Sequence, residues 1–263
     1  MNVSAYRSIC FSVAFSLLSV CVRAAETIDF NDYELGSVKG QPSAAASQWN
    51  SNLTATQNPV WVVVDGLGPD GSKCLSSTET ASSTDRWVRA DYFWDEMVVS
   101  ETGFDPEGIY LFSIDICLLQ TSMPSGNMDV FVNYQQGANS LGNSDTRVTY
   151  FALDGKGTIA FQDAGWKRLN GFLYDTTENA STGWHTIQVR MDYGNGVYDI
   201  LVDANEVVSD YAFSTEPEKM ASFQGIRIRN YMSTLEGTRL LVDNISLMRL
   251  DRPKSYTTFI LYR

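Results

Sequence analysis

From residue 60 onward the chain is a succession of short runs in which apolar and polar residues alternate, or in which β-branched and aromatic residues crowd together. Gly, Asn, Asp, Ser and Pro separate the runs. Alternation with a period of two is the mark of a strand with one face on a core, and Tyr, Phe, Trp, Val, Ile and Thr suit that pleated surface. The pattern predicts strands over Val60–Asp65, Lys73–Glu79, Arg86–Trp94, Ile109–Gln120, Met128–Gln135, Arg147–Leu153, Thr158–Gln162, Trp184–Asp192, Val197–Asp203, Gly225–Asn230 and Arg239–Leu250. Asp154-Gly155 with Gly157, Gly194-Asn195-Gly196, and Asp203-Ala204-Asn205 stand between runs as hairpin turns, where residues tolerant of positive φ are needed. No stretch shows a helical period. Strands joined by hairpins without crossover helices predict an all-β fold, an antiparallel β-sandwich.

The first residues depart from this pattern. Arg7 precedes an apolar run, Ile9 to Val22, and Val22-Arg23-Ala24 is a small-x-small cleavage pattern. This reads as a secretory signal peptide over residues 1–24, since the run falls short of the ~20 residues a bilayer span needs. A lipoprotein signal ending at Cys21 is the alternative, with Val20 standing where a small residue is wanted. The expectation is therefore an extracytoplasmic protein: secreted, periplasmic or at the cell surface, with no membrane insertion after signal removal. Residues 25–250 form one β-sandwich domain, and residues 251–263 are a C-terminal tail or a final strand.

Charge narrows the partners. With 19 basic and 31 acidic residues the formal net charge is −12, and the signal takes Arg7 and Arg23 but no acid with it. Such a chain is not built for nucleic acid and is repelled by anionic membranes. Neutral glycans remain open to it, and acidic glycans only through a local basic patch. Cys74 and Cys117 remain after the signal is removed. They are either a disulfide, if their strands are adjacent, or buried free thiols. Two cysteines and one histidine do not make a usual zinc site.

His185, the only histidine, tests for a catalytic base. Alternation sets it in one row with Ile187, Val189 and Met191, while Thr186, Gln188, Arg190 and Asp192 share the other. The apolar row faces the core, so His185 is read as structural, with emergence at a strand-end rim as the other option.

"GWHTIQVRMDYGNGVYDILVDANEVV", Gly183 to Val208, resembles the paired strands of concanavalin A-like lectin/glucanase domains, laminin-G-type modules included, with Asp203-Ala204 in place of Asp-Gly. "DFNDYELGSVKGQ" with Trp49 resembles their opening in secreted bacterial proteins, and "LLVDNISLMRL", Leu240 to Leu250, their closing strand. The resemblance implies a concanavalin A-like jelly roll, a fold that hosts many functions. It also implies a structural calcium between first and last strands, held by Asp29, Asp32 and Asp243, although no dense acidic loop is present.

The superfamily's catalytic patterns are not matched. Its retaining glucanases carry alternating carboxylates on one strand, yet Asp115 in "YLFSIDICLLQ" has Ser113 and Cys117 as same-face neighbours. Its alginate lyases pair a cation or amide with a Tyr or His base. Arg89, Arg227, Arg229, Tyr134 and Gln135 supply the residue types without that pattern. Alternation does group Arg89 with Asp91, Asp129 with Phe131, Asn133 and Gln135, and Arg227 with Arg229, as on a polar concave sheet or a solvated outer face with ion pairs. "DAGWKRLNGFLYD" sets Trp166, Lys167, Arg168, Asn170 and Tyr174 in a Gly-bracketed loop, either a sugar platform or a cap on the sandwich edge. Lectin-like recognition of an extracellular polysaccharide or glycan is the expected role. The carbohydrate-binding candidates are Trp166, Arg168, Asn170, Tyr174, Arg89, Asn133, Gln135, Arg227 and Arg229. A polysaccharide-degrading enzyme, lyase before hydrolase, and a non-catalytic structural or adhesive envelope protein are the alternatives.

Overall fold

The computed structural model describes residues 26–41, 49–51, 61–77, 88–93, 105–119, 127–132, 149–154, 158–162, 166–173, 181–213, 225–230 and 239–250. The signal segment 1–24 and the tail 251–263 lie outside these residues, as do Asn133, Tyr134, Gln135 and Tyr174.

Every described element is a strand: β1 (Glu26–Ile28), β2 (Gly36–Ser37), β3 (Trp49–Ser51), β4 (Trp61–Val64), β5 (Cys74–Ser77), β6 (Val88–Phe93), β7 (Ile109–Leu119), β8 (Asn127–Val132), β9 (Thr149–Asp154), β10 (Thr158–Gln162), β11 (Trp166–Leu173), β12 (His185–Asp192), β13 (Val197–Val202), β14 (Asn205–Ala212), β15 (Gly225–Asn230) and β16 (Arg239–Leu250). No helix among the described residues is long and apolar enough to cross a membrane. The strands form two antiparallel sheets. One has nine strands in the order β14-β13-β12-β7-β16-β5-β4-β2, with β1 also pairing β16; the other has seven, in the order β11-β10-β9-β8-β15-β6-β3.

Alternation explains how the sheets stack. Tyr110, Phe112, Ile114, Ile116 and Leu118 of β7 are buried, as are Ile187, Val189 and Met191 of β12 and Ile200 and Val202 of β13. They meet Val130 and Val132 of β8, Phe151 of β9 and Ile226 and Ile228 of β15 in one continuous core. Each such side chain contributes roughly 2 kcal/mol of transfer free energy. Rings also span the gap: Phe161 of β10 meets Tyr211 of β14 edge-on at 5.1 Å between centroids, a favoured aromatic geometry. The all-β antiparallel sandwich, a jelly roll, is thus the fold that the alternation and the resemblance anticipated.

Two expectations are corrected. "WKRLNGFL" is not a loop but strand β11, paired antiparallel with β10. Its Lys, Arg and Gly mimic loop composition, but an edge strand is held by its backbone ladder and needs no apolar run. The disulfide alternative is also not realised: Cys74 and Cys117 are free and buried. Strand β16 lies between their strands β5 and β7. Two ladder spacings of about 4.8 Å separate them, beyond the ~7 Å Cα reach of a disulfide.

Candidate functional site

On the seven-stranded sheet Ala90 and Tyr92 of β6, Ile226 and Ile228 of β15, Val130 and Val132 of β8, Phe151 of β9 and Phe161 of β10 are buried in the core. Their neighbours in sequence therefore occupy the opposite, outward face. The ladders align these outward positions into rows across the strands. In one row Asn50 is opposite Asp91, Asp91 opposite Arg227, Arg227 opposite Phe131, and Phe131 opposite Tyr150. The row continues at the far edge with Gln162 opposite Trp166. In the next row Arg89 is opposite Arg229, Arg229 opposite Asp129, Asp129 opposite Ala152, Ala152 opposite Ala160, and Ala160 opposite Arg168. The rows lie two residues apart along each strand, or about 7 Å.

Five of the sequence candidates, Trp166, Arg168, Arg89, Arg227 and Arg229, thus share one face of one sheet. Asn170 lies on β11 beyond Arg168, within an irregular stretch of the β10–β11 ladder. Asn133, Gln135 and Tyr174 lie outside the described residues. Arg227 is only 6 % exposed although it sits on the outward row, so its guanidinium lies in a low-dielectric setting where a charge acts strongly. Tyr150 and Gln162 were missed as candidates. Alternation in "TYFALD" sets Tyr150 with Ala152 opposite Phe151, but their place beside Arg227 and Trp166 comes from pairing between strands.

The second locus is the outward face of the nine-stranded sheet, around β5, β16 and β7. Asp243 is directly opposite Asp115 in the ladder, so the carboxylate neighbour that Asp115 lacks along its own strand comes from across it. A β-bulge follows, with Asn244 at a φ of 47°. Asp115 accepts hydrogen bonds from Thr186 Oγ1 at 2.6 Å and Asn244 Nδ2 at 2.8 Å. Asp243 accepts from the Asn244 backbone N–H at 2.9 Å and Ser72 Oγ at 3.4 Å. Burial, with 1 % exposure, pushes the Asp243 carboxyl up to about 7, and the nearby charges of Asp29 and Asp115 push the same way. Beside it Cys74, Cys117 and Leu241 form a small second core covered by Val64, Leu67, Leu119 and Trp184. Burial and the charges of Asp243 and Cys117 raise the Cys74 thiol to about 12.

Of the three carboxylates implicated in calcium binding, Asp29 and Asp32 are exposed, and Asp29 Oδ1 accepts from the Asn31 backbone N–H at 3.1 Å. Asp243 is bonded as described. These oxygens are engaged within the protein, and among the described residues no three His, Cys, Asp or Glu side chains gather in a way that could hold a metal ion.

His185 opens β12 at the sandwich rim. Its Nδ1 lies 2.7 Å from Asp203 Oδ2, and its Nε2 lies 3.1 Å from the Thr182 carbonyl oxygen. The other Asp203 oxygen accepts from the Thr186 backbone N–H at 3.0 Å. Asp203 and Ala204 make the β13–β14 turn with φ of 49° and 64°, the conformation of a tight hairpin. The imidazole ties this turn to the start of β12, which is the structural role expected for it.

No protein-family model matches the chain, and no curated protein sequence matches it. Solved structures do share its fold. A carbohydrate esterase from the Shiga toxin-encoding bacteriophage phi24B superposes with a TM-score of 0.53 at 13 % identity, over 86 % of this chain and 97 % of that one. An alginate lyase bound to alginate trisaccharide superposes with a TM-score of 0.51 at 12 % identity, over 87 % of this chain and 98 % of that one. At such identities the likeness shows the fold: the chain is a concanavalin A-like β-sandwich.

Proposed function

We propose that this protein is an extracytoplasmic, lectin-like module that recognises polysaccharide on the outward face of its seven-stranded sheet. The observation that carries this reading is the row Asn50, Asp91, Arg227, Phe131, Tyr150, Gln162 and Trp166 across that sheet. Sugars present apolar C–H faces to aromatic rings and hydroxyls to amide, carboxylate and guanidinium groups. A polymer lying across the strands would meet these residue types in turn. Structures of this fold include a carbohydrate esterase and an alginate lyase with alginate bound, which supports the face as one that suits glycans.

Affinity electrophoresis tests the reading. The protein is run through native gels that each contain one polysaccharide, and the gel is stained afterwards for the polymer. Retardation over intact polymer is expected. Trp166→Ala is expected to abolish it while leaving the melting temperature within about 1 °C, as befits loss of a surface contact. No retardation across a broad panel would move the structural or adhesive role to first place.

A second reading, a polysaccharide lyase, is favoured by Arg227 and Tyr150 sharing one row with Gln162. A lyase neutralises a uronate carboxylate with a cation or amide and removes the adjacent proton with a base such as Tyr. A cleared zone in the gel, with ultraviolet-absorbing unsaturated product ends, would establish it.

A further inference from the structure

Arginine at a sheet surface normally finds acid, as Arg190 finds Asp199 and Arg249 finds Asp105 on the other sheet. Strand β15 breaks this habit: Arg229 is directly opposite Arg89 in the β6–β15 ladder. Like charges opposed across a ladder cost stability, and with 31 acidic residues against 19 basic ones this chain does not lack acids to put there. Asp129 on the other side of Arg229 offsets one of the two charges. Farther along the same row, Ala152 and Ala160 leave a low floor that ends at Arg168. Four ladder spacings, roughly 19 Å, separate Arg229 from Arg168. Arg227 stands in the adjacent row, nearly buried. These two rows together hold four arginines against Asp91 and Asp129, a basic strip on an acidic protein. Arginine's planar fork matches carboxylate and sulfate oxygens in pairs.

We infer that the polysaccharide taken by this face is polyanionic, bearing carboxylate or sulfate groups, and that the opposed Arg89–Arg229 pair is a cost in the free protein that the bound anion relieves. This inference rests on the carbohydrate reading above and adds the charge class of the ligand. It gives the pair an unusual signature: neutralising one arginine weakens binding yet stabilises the free protein, whereas loss of a structural arginine destabilises it.

The test uses the full chain as secreted, with R89Q and R229Q. Gels contain polygalacturonate, dextran sulfate, or the neutral polymers dextran, arabinan and galactomannan, and each variant is melted with and without polymer. Retardation by an anionic polymer and not by the neutral ones is expected, and which of the two acts separates carboxylate from sulfate recognition. Each variant is expected to bind about tenfold more weakly, the scale of one charge-assisted contact, and to melt above the wild type without polymer. Retardation by a neutral polymer alone, or equally by neutral and anionic polymers, overturns the polyanion inference and leaves the carbohydrate reading standing. No retardation by any polymer overturns both. Variants that melt lower and bind unchanged make the pair structural, and inorganic sulfate at matched ionic strength raising the melting temperature as much as the polymer does reduces the strip to a simple ion sink; either result overturns the inference.

Discussion

Asp115 and Arg227 occupy comparable places. Each sits on the outward row of an interior strand, β7 in one sheet and β15 in the other, and each is flanked across the ladder by a second ionisable residue. Their surroundings differ. Around Asp115 and Asp243 the outward face is sealed: Ser72 and Asn244 bond the carboxylates, and Leu67 and Trp184 cover Cys74, Cys117 and Leu241. Gly68 makes that seal fit, since a Cβ there would lie 2.2 Å from the Ser72 hydroxyl oxygen. The arginine rows of the other sheet instead place like charges opposite one another beside alanines. A polar outward row is therefore not in itself a binding site. In the first case the charge is absorbed by its own protein; in the second the basic charge exceeds the acid beside it.

The contrast can be broken by substitution. Leu241→Ala opens the second core and is expected to cost about 3 kcal/mol, as buried leucine truncations do, read as a lower denaturation midpoint. The folded fraction should still be retarded by polysaccharide; loss of retardation would mean that the two faces are not independent. A smaller effect, on the order of 2 kcal/mol, comes from Asp243 and depends on pH. Its carboxyl keeps its proton up to about 7 in the folded protein, against an ordinary 3.8. The folded state thus holds a proton that the unfolded chain has released, and the associated stability, present below about 4, is lost as pH rises through about 7. Asp243→Asn should remove that loss. Urea midpoints across this range should diverge in the variant's favour as pH rises, and parallel curves would refute the burial of this charge.

His185→Ala is expected to cost about 1 kcal/mol, since it deprives Asp203 and the Thr182 carbonyl of a partner near solvent. Polysaccharide binding should not change, and a folded variant that failed to bind would return the histidine to the functional site. Ala204→Gly has the smallest expected effect and the opposite sign. Ala204 holds a φ of 64°, where a Cβ is penalised and glycine is not. A gain of about 0.5 kcal/mol is expected in thermal melts, with no change in binding.

Much of the fold was legible because burial on one face writes itself into alternation. The predicted bounds Gly225–Asn230 and Arg239–Leu250 coincide with β15 and β16, where every second residue meets the core or the strand is buried throughout. Strand β11 was illegible because ladder bonds leave no trace in side-chain chemistry. The site was legible in pieces: alternation grouped Arg89 with Asp91, Asp129 with Phe131, and Arg227 with Arg229. It did not reveal that Arg229 faces Arg89, or that Tyr150 follows Phe131, because those neighbours come from strands far apart in sequence. The same limit left the pairing of Cys74 with Cys117 open until β16 was found between them.

Strand β16 has one more consequence. It pairs with β7 along one side, and on the other with β5 before the Asn244 bulge and with β1 after it. The strand farthest along the described chain is thus the one that closes the middle of the larger sheet. Until it arrives, β4 with β5 and β7 with β12, β13 and β14 are separate ribbons with open, adhesive edges. Assembly waits on contacts between the ends of the described chain, such as Ile28 with Ile245. Folding dominated by such distant pairings falls in the slow, millisecond-to-second class or beyond, and until it completes the emerging protein must be kept from sticking to its own copies.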